Sequence, residues 1–428
     1  MRSARTLSPD PLGWCLALAG AFWLLLLVRL TIPSAPYFDE VHYLPAAREY
    51  LALDTFVNRE HPMLGKWLIA LGIELFGDRP LGWRIFPSLA GALTIFAAIR
   101  ALWFATESRF ATLAYGVLLA SGFHIFVNAR IAMLDMMMVG FLALAYWQLA
   151  AAMRAPEAGR RRLAGAGVAL GLAMACKWNA VPLAVVPGLA FLVARALAGR
   201  RRLLTSRRGA PVPGITLLEA ALWLGAVPLA VYAATYIPAW FFTRGAVGTS
   251  SGSANFLAIH LDALRLQASV LKPHPYMSRW PEWVLNLRSI WYLYEPVDGA
   301  QRGIVLIGNP LTMLLGLPAL LWAASEAVLR RNAAAAGVVI FYAVSLGFWI
   351  VSTKPIQFLY HYLLPSMALL AALALALDAL WRRRHRWLAL VPLAASVGLF
   401  AWFYPILSAA PLAGPQSFAH WMWLSSWR

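Results

Sequence analysis

Pro36-Tyr-Phe-Asp-Glu-Val-His-Tyr43 follows directly on an apolar stretch, 12–33, and Asn58-Arg-Glu-His-Pro-Met-Leu-Gly-Lys66 comes soon after it. A run of about 20 apolar residues crosses a bilayer as a helix. Two adjacent carboxylates, two histidines and a lysine placed just beyond such a run cost solvation energy wherever they approach lipid, so their presence points to chemistry at a membrane surface. Ten further apolar stretches follow, at roughly 81–104, 110–128, 131–153, 163–178, 180–198, 215–240, 303–324, 334–352, 357–380 and 388–409. The expectation is an all-α integral membrane protein of about eleven transmembrane helices. Residues 1–428 form a single transmembrane unit with two long outer loops, 34–80 and 241–302. The stretches at 163–178 and 180–198 read as short helices turning at Lys177-Trp178-Asn179.

Composition agrees with that reading. The chain of 428 residues is 61% hydrophobic and 13% charged, with 20 tryptophans, and its mean hydropathy is +0.67. No soluble globule has such a make-up. Cys15 and Cys176 both lie in or near apolar stretches, which leaves neither a disulfide framework nor a CxxC site. The first apolar stretch is too long for the apolar core of a signal peptide and reads as a retained anchor.

Basic residues set the orientation. With the N-terminus (Arg2, Arg5) in the cytoplasm, alternate connections carry Arg100 and Arg109, then Arg154 and Arg160 to Arg162. The next carry the arginines between Arg195 and Arg208, then Arg330 and Arg331, and last Arg382 to Arg384 with Arg386. Twenty of the 36 basic residues fall on that side against six of the 18 acids, leaving +14 there and +4 elsewhere. The expected protein has its N-terminus inside, its C-terminus outside and its two long loops on the outer, periplasmic face of a bacterial inner membrane. The net charge of +18 is therefore a topology signal with some attraction to anionic lipid. Nucleic acid is not among the expected partners, because no basic stripe interleaves with aromatics on a soluble domain.

The first outer loop can form two amphipathic helices, one from Asp39 to Leu53 with Asp39 placed as an N-cap, one from Pro62 to Phe76. Asp39 and Glu40 can equally supply a general base, since neighbouring carboxylates raise each other's pKa while cations lower it. Lys66, Arg84, Arg130 and Lys354 are cations at the same level that can hold a phosphate; the bland reading of Lys66 and Arg84 is snorkelling to lipid headgroups. Asp135 and Lys177 lie within apolar stretches and need partners, so a supporting ion pair is the simplest reading. The second outer loop opens on a flexible stretch, Gly245 to Ser253, and continues as a helical pattern from Phe256 to Val270. His61, His274, Tyr276, Arg279, Trp280 and His361 offer donors and stacking faces suited to a sugar or an acceptor, although Trp280, Trp283, Trp291, Tyr292 and Tyr294 also suit a headgroup interface.

Other signals fail. Gly165-Ala-Gly-Val-Ala-Leu-Gly171 mimics a dinucleotide turn but lies in an apolar stretch with no strand before it. There is no HExxH or Walker A pattern. The absence of Asp-x-Asp of the metal-holding kind fits an outer-face enzyme that uses a membrane-borne sugar in place of a nucleotide sugar. No cofactor is implied; carboxylates and histidines cluster closely enough to admit a divalent metal, but no ligand spacing demands one.

The ordered set of motifs resembles the protein O-mannosyltransferase family. Phe38-Asp39-Glu40-Val41-His42 is similar to its first-loop acidic motif, and His61-Pro62-Met63-Leu64-Gly65-Lys66 to its His-Pro-Pro-Leu-Gly-Lys. Ala129-Arg130-Ile131-Ala132-Met133-Leu134-Asp135 and Lys177-Trp178 have counterparts too, as do His274-Pro275-Tyr276 with Ser278-Arg279-Trp280, and Tyr360-His361-Tyr362. The resemblance implies a GT-C-like fold without the β-trefoil insert of eukaryotic members. It implies an inverting transfer of mannose from a polyprenyl or dolichyl phosphate to Ser or Thr hydroxyls, with Asp39 as base, Glu40 assisting, and Arg84 with other cations on the lipid phosphate. Expected partners are that lipid-linked sugar, membrane lipids, and a protein acceptor. The alternatives are a lipid or glycan acceptor, as in the related branch that transfers aminoarabinose to lipid A, or a transporter or flippase with intramembrane charges. A transporter would show internal symmetry and charges facing both sides, and this chain shows neither.

Overall fold

The computed structural model describes residues 9–199, 202–244, 256–269 and 271–428. The chain begins with α1 (Leu12–Leu27) and continues through two short helices, α2 (Glu40–Leu51) and α3 (Leu64–Phe76). Then come α4 (Pro80–Thr106), α5 (Arg109–Ala120), α6 (His124–Asn128), α7 (Leu134–Arg154), α8 (Gly159–Cys176) and α9 (Val181–Leu197). α10 (Leu217–Ala221) passes through a π turn into α11 (Val227–Ala234), and α12 (Phe256–Ser269) and α13 (Trp280–Val284) follow. A hairpin of β1 (Ile290–Val297) and β2 (Ala300–Leu306) precedes α14 (Pro310–Leu329), α15 (Ala333–Val351), α16 (Leu363–Arg382) and α17 (Arg386–Leu407).

Among the described residues, eight helical stretches are long and apolar enough to cross a membrane: Pro80–Thr106, Leu134–Arg154, Trp178–Leu197, Leu217–Phe241, Pro310–Leu329, Ala333–Val351, Leu359–Arg382 and Arg386–Leu407. α1 and α5 are apolar but shorter. A straight helix of 16 residues reaches roughly 24 Å, short of the ~30 Å hydrocarbon layer. The expected span 110–128 breaks at Ser121–Phe123, where Phe123 adopts φ +73°.

Burial ranks the helices. α16 lies at the centre, with 83% of its apolar window inside the protein, followed by α4 at 67% and α7 at 61%; α11 and α15, at 22%, have mostly outward faces. The central packing α4–α7–α8 continues onto α11 through glycines spaced i, i+4. A Cβ at Gly167 would sit 2.0 Å from the Trp223 carbonyl oxygen and one at Gly171 2.6 Å from that of Pro228. This is how membrane helices close without a hydrophobic driving force, and it gives the glycine-rich run 165–171 a packing role.

An all-α reading needs one correction. Ile290–Val297 and Ala300–Leu306 pair antiparallel, with a register shift between Trp291 and Leu293. Asp298 and Gly299 both have positive φ, which is the requirement of a tight two-residue hairpin turn. The strand also delays the following helix, so the apolar stretch expected at 303–324 is helical only from Pro310. Trp291 and Tyr292, expected to suit a headgroup interface, are buried in the protein on β1.

Helix direction sorts the chemistry. α4, α7 and α16 start at the end of the bundle that carries α2, α3 and the hairpin, and α8 and α15 finish there. Every charged motif residue from Asp39 to His361 is therefore at one end, and the arginine clusters of the short connections are at the other. The expected flexible stretch Gly245–Ser253 and the end of the helical pattern at Val270 lie outside the described residues.

Candidate active site

Glu40 is the first residue of α2 and is fully buried. Arg84, in the opening turns of α4, is also fully buried and donates from Nε to Glu40 Oε1 and from Nη2 to Oε2, both at 2.8 Å. The remaining guanidinium donors go to the carbonyls of Leu30, Pro33 and Ala35. Glu40 further accepts from the backbone N–H of Tyr37 at 3.3 Å and of Ala132 at 2.9 Å. Such a pair holds only when its lone pairs and protons are satisfied, and here they are. The pair locks three segments together: the end of the α1 connection, the start of α2, and the approach to α7.

Arg84, expected at a phosphate, thus has all its guanidinium donors engaged with protein. Arg130 likewise donates to protein, to the carbonyls of Leu26, Val28 and Arg29 at and just beyond the C-terminus of α1. Buried Lys66 donates to the carbonyls of Asn58 at 2.6 Å and His61 at 2.9 Å, and lies over the rings of Tyr50 and Phe56. Burial pushes its pKa down to about 7. It shapes the Asn58–His61 turn.

Asp39, one peptide away from Glu40, is the opposite case. It occupies the N-cap position of α2, but at φ −70°, ψ −9° its side chain makes no capping bond. No hydrogen bond or ion pair reaches its carboxylate among the described residues. Shielding from water pushes it up to about 6, against the pull of Lys177, His42 and Lys354 and with the push of Asp135. Lys177, at the end of α8, donates to Asp135 Oδ2 at 2.7 Å and lies 5.2 Å from the centre of the Tyr360 ring. Both partners of that pair are buried at the start of α7 and the end of α8.

Lys354, in the connection after α15, is half-buried, and its ammonium has no partner among the described residues. Burial, then Lys177, lowers its pKa to about 8. Among the described residues, it is the one of the four cations expected to meet a phosphate whose charged group makes no hydrogen bond. His61 is half-buried beside Tyr43, at 6.0 Å between ring centres, and burial with three nearby lysines holds it far below the usual imidazole range.

Aromatic rings wall this chamber. Phe38 stacks on Tyr292 of β1 at 4.2 Å and meets Tyr360 edge-on at 6.4 Å; Tyr43 lies one helical turn after Asp39 on α2, and the Asp39 charge reaches all three tyrosines. Tyr43 and Tyr292 were not among the expected site residues. The i, i+4 spacing from Asp39 could have found Tyr43, and the Asp298-Gly299 turn signal could have found Tyr292.

The second long loop forms the rim. His274, Arg279 and Trp280 are exposed and Tyr276 is half-buried. The His274 ring packs edge-on against Phe358 at 5.2 Å, and the Ser278 N–H donates to the Gln357 carbonyl, so this loop borders the segment carrying Lys354. His361 is not on the rim: it is buried, stacked on Trp349 at 3.7 Å, with Nδ1 accepting from the Phe358 N–H. The two long loops also touch directly. Thr243 and Arg244 donate backbone N–H groups to Leu53 and Asp54, and Gln267 Nε2 donates to the Glu60 carbonyl at 2.7 Å.

Comparison with known proteins places this arrangement. Residues 60–224 match the family described as dolichyl-phosphate-mannose-protein mannosyltransferase, and residues 253–427 match the C-terminal four-transmembrane region of protein O-mannosyltransferase. The polyprenol-phosphate-mannose–protein mannosyltransferase of Mycolicibacterium smegmatis (strain MKD8) is 29% identical over 513 positions, covering 100% of this chain and 98% of the relative. That of Mycobacterium tuberculosis (strain CDC 1551 / Oshkosh) is 29% identical, covering 93% and 88%. In fold, the chain superimposes on a chain of the S. cerevisiae protein O-mannosyltransferase Pmt1-Pmt2 complex bound to the sugar donor, with a TM-score of 0.85 at 15% identity over 99% of this chain and 93% of that one. ArnT from Cupriavidus metallidurans bound to undecaprenyl phosphate gives 0.58 at 17% identity over 86% and 61%.

Proposed function

Because the chain belongs to the protein O-mannosyltransferase family and is a membrane glycosyltransferase of that type, we propose that it moves mannose from a polyprenyl phosphate to Ser or Thr hydroxyls of proteins, with inversion. The observation that carries this reading is an aromatic-lined cluster holding a carboxylate and an ammonium, Asp39 and Lys354, that feel each other's charge and have no hydrogen-bond or ion-pair partner among the described residues. Asp39 accepts the acceptor hydroxyl proton as that oxygen bonds to the anomeric carbon. The bond from that carbon to the phosphate oxygen breaks on the far side, and the phosphate monoester leaves with the electron pair. A phosphate monoester needs no acid to leave; a cation that offsets its developing charge suffices.

In this scheme Lys354 faces the donor phosphate, with the Asp135–Lys177 pair supporting the local field. Glu40, Arg84, Arg130 and Lys66 position the Asp39 peptide and the turn around His61. His61, Tyr276, Arg279, Trp280 and His274 flank the acceptor or its sugar, and His361 acts from beneath by fixing the Phe358 segment. We place this chamber on the outer face of a bacterial inner membrane, with eleven spans, the N-terminus in the cytoplasm and the C-terminus outside. The arginine clusters at the opposite end of the bundle support that orientation. Cysteine labelling near Ser425 from the outside alone is expected; labelling from the cytoplasm would reverse it.

Purified protein supplied with polyprenyl-phosphate mannose and a Ser/Thr-rich peptide should yield a peptide heavier by one hexose, and Asp39→Asn should not. Mass spectrometry of the lipid fraction in the same reaction separates the alternative: hexose on lipid or glycan with none on peptide would overturn the protein acceptor.

A further inference from the structure

The opposite end of the bundle holds a cavity of ≈ 380 Å³ between the ends of α4, α14 and α16 and the start of α15. Three guanidiniums from two helix C-termini line it: Arg330 after α14, and Arg382 and Arg383 at the end of α16. Two carboxylates share the wall. Glu326, 13% exposed, lies 3.3 Å from Arg330, and Asp378, 7% exposed, lies 2.7 Å from Arg382. Asp378 also accepts from Ser108 Oγ at 2.6 Å, which anchors it to the start of α5. Arg383 has no side-chain partner among the described residues. Trp322 and Leu375 supply an apolar side to the hollow.

The buried carboxylates set this hollow apart from a plain arginine run. Each holds one guanidinium by an i, i+4 ion pair, and the arginine side chains, 65% exposed at Arg330 and 55% at Arg382, keep further N–H donors free towards the opening. Both acids are thereby paired, and the three guanidiniums leave the cavity with one net positive charge. An oxyanion flanked by apolar substituents meets all of these conditions. The cavity opens where helices that cross the membrane end, at the level of lipid headgroups, and basic pockets between such helix ends take phosphate headgroups. A guanidinium matches a phosphodiester in a two-pronged way that an ammonium does not.

We propose that this cavity binds the headgroup of an anionic glycerophospholipid, its phosphodiester on Arg383 and Arg330 and its glycerol backbone against Trp322. The site is distinct from the catalytic chamber, roughly 30 Å away along α4. The test uses full-length protein in detergent, with dioleoylphosphatidylglycerol titrated in and retained lipid counted by native mass spectrometry. Arg383→Gln is expected to weaken the tightest phosphatidylglycerol by about five-fold or more. Arg384→Gln removes the same charge one residue away, outside the cavity, and is expected to leave that affinity unchanged. Arg330→Gln gives a second reading from another helix, with the same loss expected. Equal losses from Arg383→Gln and Arg384→Gln would show diffuse attraction and overturn the site. So would equal retention of dioleoylphosphatidylcholine, or inorganic phosphate displacing the lipid at equal concentration.

Discussion

The frame around Glu40 and the chamber around Asp39 are built from the same residue types, one peptide apart, and are opposites in what their charges do. In the frame the charged groups are taken up by protein: Glu40 takes four N–H groups, Arg84 gives to five acceptors, and Arg130 and Lys66 donate to backbone carbonyls. In the chamber Asp39 and Lys354 are left without side-chain partners among the described residues. Charge that is spent stabilises a shape; charge that is unspent is available to a substrate. The position of a motif residue in sequence does not distinguish the two, and only its partners do.

The sharpest way to break this contrast is at the two carboxylates. Asp39→Asn is expected to lower transfer by roughly 10²–10⁴-fold with no change in thermal unfolding; activity near wild type would leave Asp39 no role in the chemistry. Glu40→Gln leaves a buried guanidinium without its counter-charge, which costs about 3–5 kcal/mol. Its signature is a lower Tm and poor yield, and the double variant Glu40→Gln/Arg84→Met should recover part of both. A Glu40→Gln protein as stable as wild type would move Glu40 from the frame into the chamber.

Lys354→Ala should raise the donor KM by about ten-fold, the order expected for loss of a charge-assisted hydrogen bond, and leave the acceptor KM alone. Lys66→Ala should lower Tm and disturb both constants. A donor effect confined to Lys66→Ala would exchange the two assignments.

The smallest effect is the pH profile. The base works only as a carboxylate, so kcat/KM rises as pH passes about 6, where burial sets Asp39. The phosphate partner works only while protonated, so kcat/KM falls as pH passes about 8, where burial sets Lys354. Lys354→Arg should extend the alkaline limb upward, since a guanidinium stays charged. An unmoved limb would detach Lys354 from it.

The apolar stretches that sequence reading finds all overlap helices, because periodicity and length are local properties. The two short helices are also local, and α2 and α3 begin within two residues of Asp39 and Pro62. The hairpin hid behind its aromatic residues, which suit a headgroup interface as well as a strand; only the Asp298-Gly299 turn separates the two readings. At the site, residue types were legible and commitments were not. Arg84, Arg130 and Lys66 looked equivalent to Lys354, since the carbonyls that occupy them belong to Leu26, Val28, Leu30 and Asn58, which have no sequence signature. His361 has a similar history: its burial under Trp349 is decided by a helix packed from elsewhere in the chain.

The central position of α16 has a consequence for how the protein is made. The helix with the most buried window is the second from the end of the chain, and it touches α5, α14, α15 and α17. More than three hundred residues are synthesised before it, so the earlier helices enter the membrane around a vacancy that lipid must fill. The bundle closes only when residues 363–382 leave the ribosome and displace that lipid. Chains interrupted ahead of Leu363 should therefore be inserted yet unclosed, with Tyr115, whose hydroxyl donates to the Met367 carbonyl, facing lipid; a cysteine at that position should label from the bilayer in the truncated chain and be silent in the finished one.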